Sequence, residues 1–194
     1  SEKAKDKARE AYTGEGYLDH EWWGSIYEDF SQVCTLLGIN LTTRTVKLMG
    51  GKTREELNVY FSGFSSQGDG ASFEGRYYFA PTASADIREQ YSDDKELHRI
   101  ADALTAMQLT QRLLGLEFFV AFIYAANNNL RVEIGDWGIE EIGEPDETQF
   151  RDLMMDLTAW LYEQLEAEHD WLHSGECIDQ YLADETFDED GARI

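Results

Sequence analysis

The residues of this chain whose types and spacing could do chemistry are carboxylates. Projected on a helix at about 100° per residue, Asp152, Asp156, Glu163, Glu166 and Asp170 fall within about 40° of one line. Phe150, Met154, Leu157, Leu161, Leu165 and Leu172 gather on the opposite side. At a rise of about 1.5 Å per residue, successive acids of the row lie roughly 4.5 to 10 Å apart, broadly the spacing of phosphates along one nucleic-acid strand. Glu176 and Asp179 extend the row, and Asp184, Glu185, Asp188, Glu189 and Asp190 follow. Asp152/Asp156 and Glu166/Asp170 are like-charge i,i+4 pairs, each costing roughly a few tenths of a kcal/mol in an isolated helix. Residues 152–192 contain no Lys or Arg to offset them. The row reads either as a plain solvated face or as a face kept for its negative field. In the second case it would occupy a basic groove on a partner, as a DNA mimic does.

A second candidate is the segment Tyr60 to Gly75, YFSGFSSQGDGASFEG. Its glycines permit turns and close backbone approach. Ser65, Ser66 and Gln67 supply donors, and Asp69 and Glu74 supply carboxylates. The segment is neither a Walker A loop nor a dinucleotide fingerprint, because both spacings are absent. It reads as an elaborate hairpin turn or as a loop that contacts a ligand or partner.

Enzyme constellations are sparse. His169 and His173 stand at i,i+4 spacing, but the stretch HDWLH lacks the HEXXH pattern, and no metal or cofactor is expected. DETFDEDG over 184–191 echoes a calcium loop without the closing Glu. Cys34 lies in an apolar helical stripe and reads as core. Asp69, Glu74 and His98 could form an acid–base set if the fold brought them together.

The 194 residues carry 39 Asp+Glu against 16 Lys+Arg, a net charge of −23. That balance excludes direct nucleic-acid binding and disfavours anionic membranes, since no basic surplus exists to meet phosphates. Residues 1–132 have a net charge of −5 and residues 133–194 of −18. A halophilic proteome would spread the acid evenly, and this chain does not. With 42% hydrophobic and 13% aromatic residues the chain can pack a core. No apolar run reaches the roughly 18–20 residues of a membrane span, and the opening SEKAKDKARE has no signal-peptide h-region. Two cysteines imply no disulfide framework, so a cytoplasmic protein is expected.

These residues need elements to position them. A loose arm over 1–16 should precede a helix from about Asp19 to Leu37, with Gly38 as its C′ residue. Arg44 to Met49 reads as a short strand. Leu57 to Phe64 and Ser72 to Phe79 read as a strand pair around the polar turn. Asp93 with Glu96 starts a helix that ends at Gly115. Glu117 to Ala125 and Leu130 to Trp137 form a hairpin, the first of them apolar on both faces and therefore central. Pro145 opens a long helix to about His173, followed by a shorter one from Glu176 to Ala183. The order predicts a single α+β domain over 1–194, with one antiparallel sheet of about 4–5 strands packed against about four helices. Residues 145–194 form its acidic helical part.

Three stretches carry a family resemblance. MGGKTREELNVYFSGFSSQGDGASFEG over 49–75, ELHRIADAL over 96–104 and WLYEQLEAEHDWLHSGECIDQYL over 160–182 resemble a family of largely uncharacterised acidic proteins of phages and prophages. Some members are labelled as the antitoxin of a toxin–antitoxin system. The resemblance runs from about residue 22 to 191 and brings no catalytic or binding residues with it. Some relatives have a cysteine near the loop where this chain has Ala71, so a thiol role for the loop is not expected. Small acidic phage proteins include anti-CRISPR and anti-restriction inhibitors. The resemblance thus implies an inhibitory binding protein acting in the host bacterial cytoplasm. Its acidic row would block the basic nucleic-acid-binding site of a host defence complex. One alternative is an antitoxin-like neutraliser of a basic toxin. Another is a small enzyme or ligand-binding domain centred on Ser65–Glu74.

Overall fold

Phe30, Val33, Cys34 and Leu37 recur at helical spacing and are completely buried on helix α1, Gly24–Leu37. The computed structural model describes residues 5–10, 22–65, 69–111, 118–123, 131–134, 144–183, 186 and 188. The expected start of α1 at Asp19 lies outside them. Trp22 and Trp23 form a turn ahead of the helix. Gly38 ends the helix at φ +83° and donates to the Thr35 carbonyl at 3.1 Å, the geometry a C′ glycine supplies.

The chain divides into two compact units, Tyr27–Glu163 and Ser1–Ile26 with Gln164–Ile194. In the larger unit, strands β1 (Ile39–Leu41), β2 (Thr43–Lys47), β3 (Thr53–Leu57), β4 (Val59–Phe61) and β5 (Ala71–Tyr77) follow α1. Helices α2 (Ala83–Gln90) and α3 (Lys95–Gln111) come next, then β6 (Phe118–Ile123), β7 (Arg131–Ile134) and helix α4 (Glu144–Leu172), whose residues from Gln164 on belong to the smaller unit.

The architecture is α+β with antiparallel pairing throughout. β5 is the hub of a five-stranded sheet. Its edge toward the chain start pairs with β4 (Val59↔Phe73) and β1 (Ile39↔Tyr77), and its other edge pairs with β6 (Gly75↔Val120). β7 closes the order β1-β5-β6-β7, so β6 is interior, as its two apolar faces predict. β2 and β3 form a separate two-stranded ribbon that leaves the sheet between β1 and β4. Instead of one sheet, the fold therefore has a sheet and a ribbon. β3 reads TREEL and has no apolar alternation, which is why the strand is invisible as a sequence pattern.

Apolar faces of every layer meet in the core. Phe30 packs edge-on against Phe73 at 4.9 Å and stacks on Trp160 at 6.3 Å, while Tyr77 meets Phe150 at 5.2 Å. Leu97, Ile100, Ala101 and Leu104 of α3 and Leu153, Met154, Leu157 and Leu161 of α4 complete it. Burial pushes the Tyr27 phenol up to about 12 despite the opposing charge of Arg44, and it pushes the Cys34 thiol well up.

In the smaller unit, residues 5–10 are helical within the stretch expected to be a loose arm. Ala8 is buried and Arg9 grips Asp179 with two hydrogen bonds of 2.7 and 2.6 Å. Asp179 lies on helix α5, Gly175–Leu182, whose cap Ser174 accepts the Cys177 amide at 3.1 Å. Trp22 lies 5.6 Å from His169, which stacks on His173 at 4.1 Å.

Candidate binding face and glycine-rich hairpin

Helix α4 is amphipathic in the sense its sequence predicts. Phe150, Met154, Leu157, Leu161 and Leu165 are at most 1% exposed, whereas Asp152, Glu163, Glu166 and Asp170 are exposed. Among the described residues no ion pair involves Asp152, Glu163, Glu166 or Glu176. Asp170 has His169 Nδ1 at 3.7 Å.

Two acids of the row behave differently. Asp156 is half-buried and accepts a short hydrogen bond from Arg99 of α3, which also binds Glu96 at 2.5 Å. Within the smaller unit, Asp179 is gripped by Arg9, which holds its carboxyl below the usual range. Residues 152–192 supply no cation of their own, as the sequence shows, but Asp156 is offset from outside that stretch. Its cation comes from another helix, and no i,i+4 pattern can reveal it. Arg9 and Arg99 are the partners of the row that sequence reasoning missed.

The hairpin between β4 and β5 is closed by Ser62. Its amide donates to the Gly70 carbonyl at 3.0 Å and its hydroxyl accepts the Gly70 amide at 3.0 Å. Asp69 folds inward and accepts the Ser65 amide at 2.8 Å. Its carboxylate lies where a Cβ on Gly63 (φ +133°) would fall, 2.9 Å away, so only glycine fits there. Ser65 is exposed, and Ser66 and Gln67 lie outside the described residues. Phe64 packs on Phe61 at 4.7 Å and on Tyr162 of α4 at 5.3 Å. The base of the hairpin thus stands on α4 beside Glu163.

Glu74 is a strand residue, not a loop residue. It lies on β5 at the point where the ribbon departs and accepts Asn58 Nδ2 at 2.9 Å; the same nitrogen donates to Thr42 Oγ1 at 2.9 Å. Tyr60 donates to Asn58 Oδ1 at 3.2 Å, and the Arg44 guanidinium lies 4.7 Å over the Tyr60 ring. His98 contacts the Tyr91 carbonyl through Nε2 at 2.9 Å. Asp69, Glu74 and His98 are therefore each held by different partners. Among the described residues no group of three or more His, Cys, Asp or Glu is placed to hold a metal ion, and no helix is long and apolar enough to cross a membrane.

No curated protein and no solved structure matches the chain. Residues 22–175 match the family described as Domain of unknown function (DUF8835), and the chain belongs to that family.

Proposed function

We propose that this chain is a non-enzymatic binding protein of phage type, an anti-CRISPR or other anti-defence inhibitor. In this reading its acidic helical face occupies the basic nucleic-acid-binding surface of a host complex in the bacterial cytoplasm. One observation carries the reading. Asp156 and Asp179 are taken by Arg99 and Arg9, while Asp152, Glu163, Glu166 and Glu176 stay exposed and without an ion pair among the described residues. Exposed like charges raise the energy of the free chain, and a basic partner would relieve that repulsion. The same face would also serve an antitoxin-like neutraliser of a basic toxin. The small-enzyme reading has less support, because the three side chains it needs each hydrogen-bond to a different partner and not to one another in the bonds described.

Charge reversal tests the proposal. A chain carrying Asp152→Lys, Glu163→Lys, Glu166→Lys and Glu176→Lys should lose the partner that the unaltered chain captures from a bacterial extract. The native complex should dissociate as salt rises from about 0.1 to 0.5 M, because the Debye length shortens. Asp156 and Asp179 are left intact, since a lysine there would oppose Arg99 or Arg9. Capture that survives both reversal and salt would refute the reading, and the nature of the captured protein separates a defence complex from a toxin.

A further inference from the structure

The β2–β3 ribbon takes no part in the acidic face, and its composition is the reverse of the rest of the chain. Thr43–Leu57 holds Arg44, Lys47, Lys52 and Arg54 against Glu55 and Glu56 only. Its tip, Leu48 to Gly51, is closed by Leu48 N–H donating to the Lys52 carbonyl at 2.7 Å. Met49 at the tip is 102% exposed and Leu48 40%, and Tyr60 at the ribbon's base is 38% exposed. These three are the exposed large hydrophobic residues of the larger unit among those described.

Neither outer edge of the ribbon pairs with a further strand among the described residues, because β2 and β3 pair only with each other. The ladder bonds Leu48 N–H to Lys52 and Asn58 N–H to Thr42 place the even-numbered residues of β2 in the hydrogen-bonded pairs with β3. By the alternation of antiparallel strands, the N–H and C=O groups of Thr43, Thr45 and Lys47 then face outward. That set is self-complementary. Two β2 strands related by a two-fold axis at Thr45 would pair Thr45 with Thr45, and Thr43 with Lys47 in both directions. Each pair would exchange both hydrogen bonds with no like charges opposed. The equivalent pairing of β3 would set Glu55 against Glu55, which is unfavourable.

We infer that β2 is the interface of a symmetric dimer, in which a second copy of this chain joins the two ribbons into one four-stranded antiparallel sheet. The pairing brings Leu48 and Met49 of each copy to the base of the other ribbon, where Tyr60 is exposed and thioether–aromatic contact is available. An open edge with an exposed apolar tip is otherwise a liability that proteins cover or block.

Light scattering coupled to size exclusion reads the mass of the full chain over a range reaching on the order of 100 µM. The expected result is twice the monomer mass for the unaltered chain, falling to the monomer mass for Thr45→Lys, which opposes two ammonium groups at the axis. Thr45→Pro should do the same, since it removes an outward N–H and leaves the β2–β3 ladder intact. A monomeric unaltered chain, or a dimer that survives both substitutions, would overturn the inference. Register is read independently in a Cys177→Ser background, where the remaining native Cys34 is buried. Thr45→Cys should form a disulfide-linked dimer, because directly opposed residues lie about 5.5 Å apart at Cα. Glu55→Cys, at the axis of the alternative β3 pairing, should not, and the converse pattern would exclude the β2 pairing.

Discussion

Arg99 on α3 reaches Asp156 on α4 across 57 positions of sequence and holds Glu96 with the same guanidinium. The carboxylate row of α4 is thereby divided. One member is a structural contact between helices, and its neighbours Asp152 and Glu163 are left to solvent. The division gives the first prediction. Arg99→Ala should destabilise the chain by about 0.5–1 kcal/mol in urea unfolding, because the side chains are roughly half-exposed and solvent screens their attraction. Asp152→Ala should leave stability within about 0.5 kcal/mol or raise it slightly. Equal losses at the two positions would mean that the row is structurally uniform.

The same contact predicts a pH dependence with a definite sign. Arg99 lowers the Glu96 carboxyl below its ordinary value, and a carboxyl lowered by folding stabilises the folded state only while ionised. The stability gap between the unaltered chain and Arg99→Gln should be full above the ordinary Glu value of about 4.3. It should close as pH falls through the lowered value. A gap that widens in acid would contradict the assignment.

Asp94 serves two elements with its two oxygens. Oδ1 accepts the Leu97 amide at 2.9 Å at the start of α3, and Oδ2 accepts the Trp160 indole N–H at 2.7 Å from α4. Asp94→Ala removes a cap and strands a donor on a side chain that is 4% exposed, so it should cost about 2–3 kcal/mol. Trp160→Phe leaves the cap but removes the donor and part of a buried ring stacked on Phe30, and should cost a comparable amount. Thermal melts of both variants check the two losses.

Two glycines with left-handed backbone should respond unequally to alanine. A Cβ on Gly38 (φ +83°) would lie 2.2 Å from the Tyr78 carbonyl oxygen, whereas one on Gly50 (φ +94°) meets nothing within 4 Å. Gly50→Ala should cost about 1–2 kcal/mol from backbone strain alone. Gly38→Ala should cost about 3 kcal/mol or more, because α1 must separate from the strand end at Tyr78. Denaturant midpoints resolve the two.

The sequence reads well where burial repeats with a period. The faces of α1, α3 and α4, the C′ role of Gly38 and the central position of β6 all follow from apolar spacing. Helix α2 is not legible, because only Ala83 and Ile87 of its residues are buried and two anchors make no stripe. The α3 cap is Asp94 and not the expected Asp93, a choice that the Trp160 indole reinforces from outside the local sequence. The acidic face is visible as residue types. Which acids are occupied depends on Arg9 and Arg99, and long-range partners leave no periodic trace.

An acidic face that occupies a nucleic-acid-binding surface must displace the nucleic acid bound there. With the captured host complex in hand, its nucleic acid can be labelled and the chain titrated in, following bound nucleic acid by mobility shift. The proposal predicts that the unaltered chain releases the nucleic acid stoichiometrically. The chain altered at Asp152, Glu163, Glu166 and Glu176 should leave it bound. A ternary complex in which chain and nucleic acid bind together would contradict it.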